Sequence, residues 1–224
     1  MAGEPQWLVF AEATEVAREA ARRIAAAAAA AIAARGRFRV VLAGGGTPLA
    51  AYRLLADTDQ DWACWEIYFG DERCLPPDDA ERNSRMAEDA WLHRVAPRPS
   101  VHVIPAERGA EIAASVYAEV VRRAVPFDLV LLGIGEDGHT ASLFPGRPLD
   151  RASWTEAVHQ APKPPPDRVS LGLRALRATR ALLVLATGEG KRPALRAWRA
   201  GDDLPIARVC AGLTATVLLD AGAS

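Results

Sequence analysis

The sequence predicts an α/β fold, namely a Rossmann-like, doubly wound and mostly parallel sheet with helices on both faces. Two observations along the 224 residues predict it. Short β-rich runs alternate with helical patterns, which is the order of elements in an open α/β sheet. Most of the β-rich runs are also continuously apolar, as expected of parallel strands that are covered on both faces.

The first predicted element is an alanine-rich helix over residues 11–34. Alanine has the highest helix propensity, and Gly36 is a typical residue for the end of a helix. The run is not a secretory segment, because acidic rather than basic residues precede it. The alanine-rich run itself, 24-IAAAAAAAIAARG-36, is also shorter than the roughly 20 apolar residues that a membrane span needs. We therefore expect a soluble protein without a membrane partner.

The remaining elements follow in alternation. We predict strands at 38–44, 65–71, 101–106, 127–135, 181–188 and 214–220, and helices at 48–57, 79–94, 108–124 and 190–200. The proline-rich loop 161–167 cannot be regular secondary structure, because proline lacks an N–H donor and has a fixed φ. A further strand could occupy 169–176. Too little chain follows this loop to form a second core, so we expect one domain over residues 1–224.

Composition excludes several function classes. The net charge of −1 gives no general attraction to nucleic acid or to an acidic membrane. Cys64, Cys74 and Cys210 are odd in number and lack C-x-x-C spacing, which favours reduced thiols in the cytoplasm. No H-x-x-H, H-E-x-x-H or G-x-S-x-G pattern occurs. We therefore expect neither a metal site nor a serine nucleophile, and no obligate protein partner is evident.

Open α/β sheets bind ligands beyond the carboxyl ends of their strands. Four segments follow predicted strands and hold most of the chemically capable residues, namely 44-GGGTP-48, 71-DERCLPPDDAERNS-84, 133-GIGEDGHTASLFPG-146 and 188-GEGK-191. Their coincidence at one edge predicts a functional site.

The first of these segments predicts an anion site at a helix start. Thr47 as N-cap and Pro48 as first residue favour a helix there, whose free N–H groups and dipole suit a phosphate. The segment matches neither the dinucleotide nor the nucleoside-triphosphate fingerprint, and a tight turn without ligand remains open.

Charged residues in two other segments are weaker signals. Arg73 is suited to a bidentate contact with phosphate or carboxylate, and Asp71 could accept a sugar hydroxyl. A solvated loop with a local ion pair is the simpler interpretation of these two residues. Lys191 supplies one positive charge near a helix start, and Arg168 follows the proline-rich loop. Neither is specific, since surface cations are common.

The segment 133–146 is the strongest signal. Gly133, Gly135 and Gly138 allow positive φ and a close approach of the backbone to a ligand. His139 lies among glycines and carboxylates after an apolar strand, and an imidazole that titrates near pH 6.5 can accept and return a proton. Asp137 could orient that imidazole or bind substrate. We interpret His139 as a reacting group.

Five of these segments together resemble one protein family. The motifs GGGTP at 44–48, FGDER at 69–73, GIGEDGHTASLFPG at 133–146, KPPPDRVS at 163–170 and GEGK at 188–191 are similar, in order, to those of 6-phosphogluconolactonases. The resemblance implies hydrolysis of 6-phospho-D-glucono-1,5-lactone to 6-phospho-D-gluconate in the pentose phosphate pathway. It also implies a Rossmann-like fold and the absence of a metal or organic cofactor.

The resemblance also implies site residues. His139 matches the catalytic histidine of the family, and Gly45, Gly46 and Thr47 match its phosphate-contacting loop. Arg73 and Lys191 match its cationic positions, and Arg168 matches a less certain member of the site. Many relatives carry serine where this chain has Gly46. Asp71 and Asp137 could each bind a hydroxyl or orient the histidine, and these alternatives stay open.

Two other functions remain as alternatives. The related glucosamine-6-phosphate deaminases follow the histidine with a segment resembling G-F-N-E-P, whereas this chain has Leu143 and Phe144 in place of the Asn-Glu pair. The missing carboxylate counts against an amino-sugar isomerase. A sugar-phosphate-binding protein without turnover is the second alternative, against which the intact histidine segment argues.

Overall fold

The computed structural model describes residues 4–224. Its main feature is a seven-stranded parallel sheet in the order β1-β10-β9-β6-β2-β3-β5. The strands are β1 (Gln6–Phe10), β2 (Phe38–Leu42), β3 (Trp65–Phe69), β5 (Ser100–Val101), β6 (Leu129–Gly133), β9 (Leu182–Ala186) and β10 (Ala215–Asp220). With helices around this sheet, the predicted fold class is confirmed.

The central strands are buried because their sequences are apolar on both faces. Every residue of β9 is buried, and the strand reads LLVLA. Such a run forms the middle of a sheet, since both faces meet helices. Because the strands of this sheet are parallel, their carboxyl ends, and the loops that follow them, lie at one edge.

The helices of the structure are α1 (Ala13–Arg35), α2 (Gly46–Leu55), α3 (Asn83–Ala87), α4 (Ala110–Ala124), α5 (Leu173–Arg177), α6 (Arg192–Arg199) and α7 (Pro205–Cys210). The first helix ends as predicted, because its C-cap Gly36 has φ of 71°. Within the described part of the chain, no helix is long and apolar enough to cross a membrane.

A three-stranded antiparallel sheet in the order β4-β8-β7 was not predicted. It comprises β4 (Asp71–Arg73), β7 (Thr155–Val158) and β8 (Arg168–Leu171). Gly70 joins the two sheets: its N–H donates to the Leu42 carbonyl at 2.9 Å, and its carbonyl accepts from the Leu171 N–H at 2.7 Å. The chain therefore leaves the parallel sheet at the point where the charged segment begins.

Several predicted boundaries were wrong. The predicted strand 101–106 is only two residues long, and the predicted helix 79–94 is a short α-helix that continues as a π-helical turn over Glu88–Leu92. Strands β1 and β7 and helix α7 lie where no element was predicted. The half-exposed pattern of β1 and β7 explains why no apolar run marks them.

Candidate active site

A cleft of about 300 Å³ lies at the carboxyl edge of the parallel sheet. It is bounded by the segments that follow β2, β3, β6 and β9 and by the proline-rich loop. Of the sequence-predicted residues, the structure brings seven together in its lining, namely Gly45, Asp71, Arg73, Gly135, His139, Arg168 and Lys191. Gly46, Thr47 and Asp137 each lie within two residues of a lining residue but are not part of the lining.

His139 and Asp137 form a side-chain pair in this cleft. The Nδ1 atom of His139 hydrogen-bonds to Oδ1 of Asp137, and the same oxygen accepts the His139 backbone N–H at 3.2 Å. The histidine side chain is 18% exposed, and its ring packs 4.9 Å from that of Phe144. Since Nδ1 is occupied, Nε2 is the ring nitrogen available to a ligand.

The contact with His139 lowers the pKa of Asp137. Partial burial pushes the pKa of Asp137 upward, but the hydrogen bond and the charge of His139 outweigh it and leave the pKa below its ordinary value. Asp137 is therefore an anion at neutral pH, suited to orient the imidazole and to stabilise its protonated form.

Gly135 makes room for the pair. A Cβ atom on this residue would lie 2.0 Å from Nδ1 of His139 and 2.5 Å from Oδ1 of Asp137. Its N–H also donates to the His139 carbonyl at 2.7 Å. Among Gly133, Gly135 and Gly138, only Gly138 has a positive φ, of 87°. Close approach, rather than left-handed backbone, is thus what the cleft requires of Gly135.

The residues after His139 form a tight turn that holds the loop. Thr140 and Leu143 exchange backbone hydrogen bonds, and the Thr140 hydroxyl donates to the Gly133 carbonyl at 2.9 Å. Between them Ala141 lines the cleft with φ of 48°, a left-handed conformation that is uncommon outside glycine. The turn therefore keeps a strained residue at the wall of the cleft.

The glycine segment after β2 starts helix α2 two residues earlier than predicted. The N-cap is Gly45, whose φ of 107° excludes other residues, and Thr47 lies inside the first turn. The Thr47 hydroxyl is 2.6 Å from that of Thr187 and therefore does not cap the helix. Tyr52 fixes the turn, since its hydroxyl bonds both the N–H and the carbonyl of Ala43. The first-turn N–H groups of α2 have no intrahelical acceptor.

Asp71 has a different role from Asp137. Its carboxylate accepts the Asn83 amide at 2.9 Å and the Ser142 hydroxyl at 2.7 Å. Asn83 in turn packs against Gly44, where a Cβ atom would lie 2.1 Å from the amide oxygen. Asp71, Asn83 and Ser142 are each almost fully buried. We define these three side chains as the carboxylate bridge, which ties the glycine, charged and histidine segments together.

The predicted cations are held by different means. Arg73 donates through Nη1 to the Glu81 carbonyl, and its buried Nε atom has no partner among residues 4–224. Arg168 donates to the carbonyls of residues 163, 164 and 165, so that it fixes the proline-rich loop. Desolvation by burial lowers the pKa of Lys191, because the charged amine loses contact with water. An anion bound beside Lys191 would offset that loss and stabilise the charged form.

Lys163 was missed as a site residue. The Arg168 contacts hold it at the cleft, where its Nζ atom is 3.7 Å from Oε2 of Glu136. A signal was available, because Lys163 and Lys191 are the two lysines among 27 Lys and Arg residues, and both line the cleft. A chain that uses arginine at every other cationic position keeps its two amines for this cleft.

Metal-ligating side chains are not clustered in the described residues: no group of three or more His, Cys, Asp or Glu could hold a metal ion.

This chain is similar to known proteins in sequence and in fold. Residues 11–218 match the family described as glucosamine-6-phosphate isomerases/6-phosphogluconolactonase. A 6-phosphogluconolactonase of Streptomyces coelicolor is 39% identical, with 87% of this chain and 83% of the relative covered. One from Mycobacterium tuberculosis is 37% identical, with 91% and 89% covered. The crystal structure of a 6-phosphogluconolactonase from Shewanella baltica has a TM-score of 0.90 at 29% identity, and covers 99% of this chain and 100% of its own.

Proposed function

The chain belongs to the glucosamine-6-phosphate isomerase/6-phosphogluconolactonase family, and we propose that it hydrolyses 6-phospho-D-glucono-1,5-lactone to 6-phospho-D-gluconate with His139 as general base. The observation that carries this proposal is the His139–Asp137 pair, whose histidine lines a cleft together with Arg73 and Lys191, two cations that form no salt bridge within residues 4–224. Relatives at 37–39% identity over most of the chain bear the name of this activity.

The phosphate is proposed to bind among the cations of the cleft. The buried Nε of Arg73 lacks a protein partner within residues 4–224, and an anion would satisfy it. Lys191, Lys163 and the first-turn N–H groups that follow Gly45 provide further donors of the kind phosphate accepts. Binding at this end would anchor the substrate and leave the lactone ring to the histidine.

The reaction then needs only a water and one base. In our proposal Nε2 of His139 takes a proton from water as the water oxygen attacks the lactone carbonyl. Asp137 stabilises the imidazolium, because its carboxylate accepts the hydrogen bond from Nδ1. Collapse of the tetrahedral intermediate expels the ring oxygen, to which the imidazolium returns the proton.

The tetrahedral oxyanion requires donors that are already in position. Backbone N–H groups of the glycine segment or the guanidinium of Arg73 line the same cleft as His139 and are the donors we propose. A lactone is an activated ester, so that positioning and general-base action suffice without a covalent intermediate.

Deamination of an amino sugar is the second candidate in this family. The segment after His139 argues against it, since Leu143 and Phe144 are buried apolar side chains where a ring-opening acid would be needed.

We propose the cytoplasm as the compartment of the reaction, in line with three free cysteines.

The test is a pair of histidine variants. With freshly generated 6-phosphogluconolactone and correction for spontaneous hydrolysis, His139→Ala is expected to lower kcat by about 10²–10⁴-fold, the usual contribution of a general base. It should still bind 6-phosphogluconate. His93→Ala is the matched control, because His93 is exposed and does not line the cleft. Near-wild-type turnover of His139→Ala would rule out this base, and absence of activity in the wild type would leave a binding protein.

A further inference from the structure

A second cavity, of about 470 Å³, lies outside the cleft and between α5 and α7. Its lining includes four arginines, Arg151, Arg174, Arg177 and Arg208, with Leu173 as part of an apolar wall. None of the described residues that line it is acidic. We call this the arginine cavity. None of its lining residues belongs to the catalytic cleft.

The guanidinium groups of this cavity are held in place by the fold. Arg177 donates through Nη1 to the carbonyls of Arg208, Val209 and Ala211, at 2.7, 3.1 and 2.9 Å, and so satisfies the end of α7. Arg174 lies over the Trp154 ring, with Cζ 4.2 Å from the centroid. Such fixed groups lose little conformational entropy when an anion binds.

The positive charge of the cavity is only partly compensated. Arg208 forms a salt bridge to Asp203, which lies beside the cavity. Within residues 4–224, Arg151 and Arg174 form no salt bridge with any carboxylate. Of the four arginines in the lining, only Arg208 forms a salt bridge within residues 4–224, so the lining itself is positively charged in a chain whose net charge is −1. Like charges gathered in one concave surface repel one another, and an anion would relieve that repulsion.

The arginine cavity lies next to a short segment of chain that packs against the histidine segment. Asp203 precedes Leu204, and a Cβ atom on Gly138 would lie 2.8 Å from Cδ2 of Leu204. The 202–204 segment thus contacts the cavity-lining Arg208 on one side and the residue before His139 on the other.

We propose that the arginine cavity is a second binding site, which takes a small molecule bearing a diphosphate or triphosphate group. Arg151 and Arg174 form no salt bridge within residues 4–224, and a planar guanidinium of this kind can form bidentate hydrogen bonds with phosphate oxygens. The volume lies in the range of small-molecule sites, and the apolar wall beside Leu173 could contact the organic part of a nucleotide. The site is independent of the proposed hydrolysis.

Calorimetric titration of the full chain tests this site. The probes are inorganic pyrophosphate and ADP, with adenosine as the uncharged control. Both charged probes are expected to bind the wild type, and the Arg151→Ala, Arg174→Ala double variant should bind them about tenfold or more weakly because two charge-assisted contacts are lost. Arg18→Ala, Arg53→Ala is the matched control, since it removes the same charge from exposed positions of α1 and α2.

Two outcomes separate this site from the cleft. A Lys163→Ala, Lys191→Ala background removes the cleft amines and should leave probe binding unchanged. Loss of binding in that background, or equal binding by the double variant and the wild type, would overturn the proposal. ADP binding tighter than pyrophosphate would identify a nucleotide, and equal affinities would identify the diphosphate alone as the recognised group.

Discussion

Two glycine segments at the carboxyl edge of the sheet use the same device for different purposes. Gly135 follows β6, and Gly44 follows β2, and each has no room for a Cβ atom because a polar side chain lies against it. At Gly135 the close neighbours are His139 and Asp137, the proposed reacting pair. At Gly44 the neighbour is Asn83, a buried member of the carboxylate bridge.

Each segment also contains a glycine with open space around it. No atom lies within 4 Å of a Cβ on Gly133 or on Gly46. The comparison shows that glycine is needed in these segments for two different reasons. Gly135 leaves room for the proposed reacting pair, and Gly44 leaves room for a buried side chain that packs beneath the cleft. Substitution at the crowded positions should therefore affect turnover in the histidine segment and stability in the other.

Gly135→Ala is expected to have the largest effect of these changes. Its methyl group would displace His139 or Asp137, so that kcat should fall by about 10²-fold or more, as when a catalytic group is misplaced. Gly133→Ala is the control, because its methyl group meets no protein atom, and it should keep kcat with any loss confined to KM. Equal kcat values for the two variants would contradict the distinction.

Asp137→Asn tests whether the carboxylate next to His139 contributes to turnover. The amide keeps the shape but removes the negative charge opposite Nδ1, and kcat is expected to fall by about tenfold to a hundredfold as support for the imidazolium is lost. An unchanged pH profile of kcat would show that Asp137 has no such role.

The difference in stability between the wild type and Asp137→Asn is expected to depend on pH. The folded pKa of Asp137 is lowered, so its stabilising contribution exists above the unfolded value and is lost as pH falls through the folded value. The stability difference between wild type and variant should therefore begin to shrink below about pH 4, the unfolded value, and vanish only once pH is below the lowered folded value. Thermal unfolding across that range measures it.

Gly44→Ala and Gly46→Ala should change stability in opposite directions. The first forces Asn83 out of its two hydrogen bonds to Asp71, and overpacking of this kind costs about 1–3 kcal/mol. The second reduces the freedom of the unfolded chain at a helical position and should stabilise by about 0.4–1 kcal/mol. Denaturant unfolding of the two variants measures both signs. A destabilised Gly46→Ala would be inconsistent with its open surroundings.

Ser142→Ala is expected to destabilise the protein no more than Gly44→Ala does, because it removes one partner of the carboxylate bridge. One oxygen of buried Asp71 loses its donor, which should cost about 1–3 kcal/mol of unfolding free energy, with the lower end expected if water enters. Ser115→Ala on the exposed face of α4 is the control and should change stability little. A stability equal to that of the control would mean that Asp71 does not depend on Ser142.

The sequence alone determined the parts of this protein that depend on local patterns. Apolar runs predicted the central strands, since a strand buried on both faces has no other composition, and alanine with Gly36 predicted the first helix and its end. His139 was identifiable because glycines and carboxylates surround it. The count of two lysines could have identified Lys163 in the same way.

Only the tertiary structure decided which side chains meet across distant segments. It separated the two carboxylates, giving Asp137 to His139 and Asp71 to Asn83 and Ser142. It also placed Thr47 against Thr187 rather than at a helix cap, and formed the small antiparallel sheet from three separated strands. Such pairings follow from how the whole sheet folds and brings its loops together, and a local run of sequence contains no information about a partner seventy or more residues away.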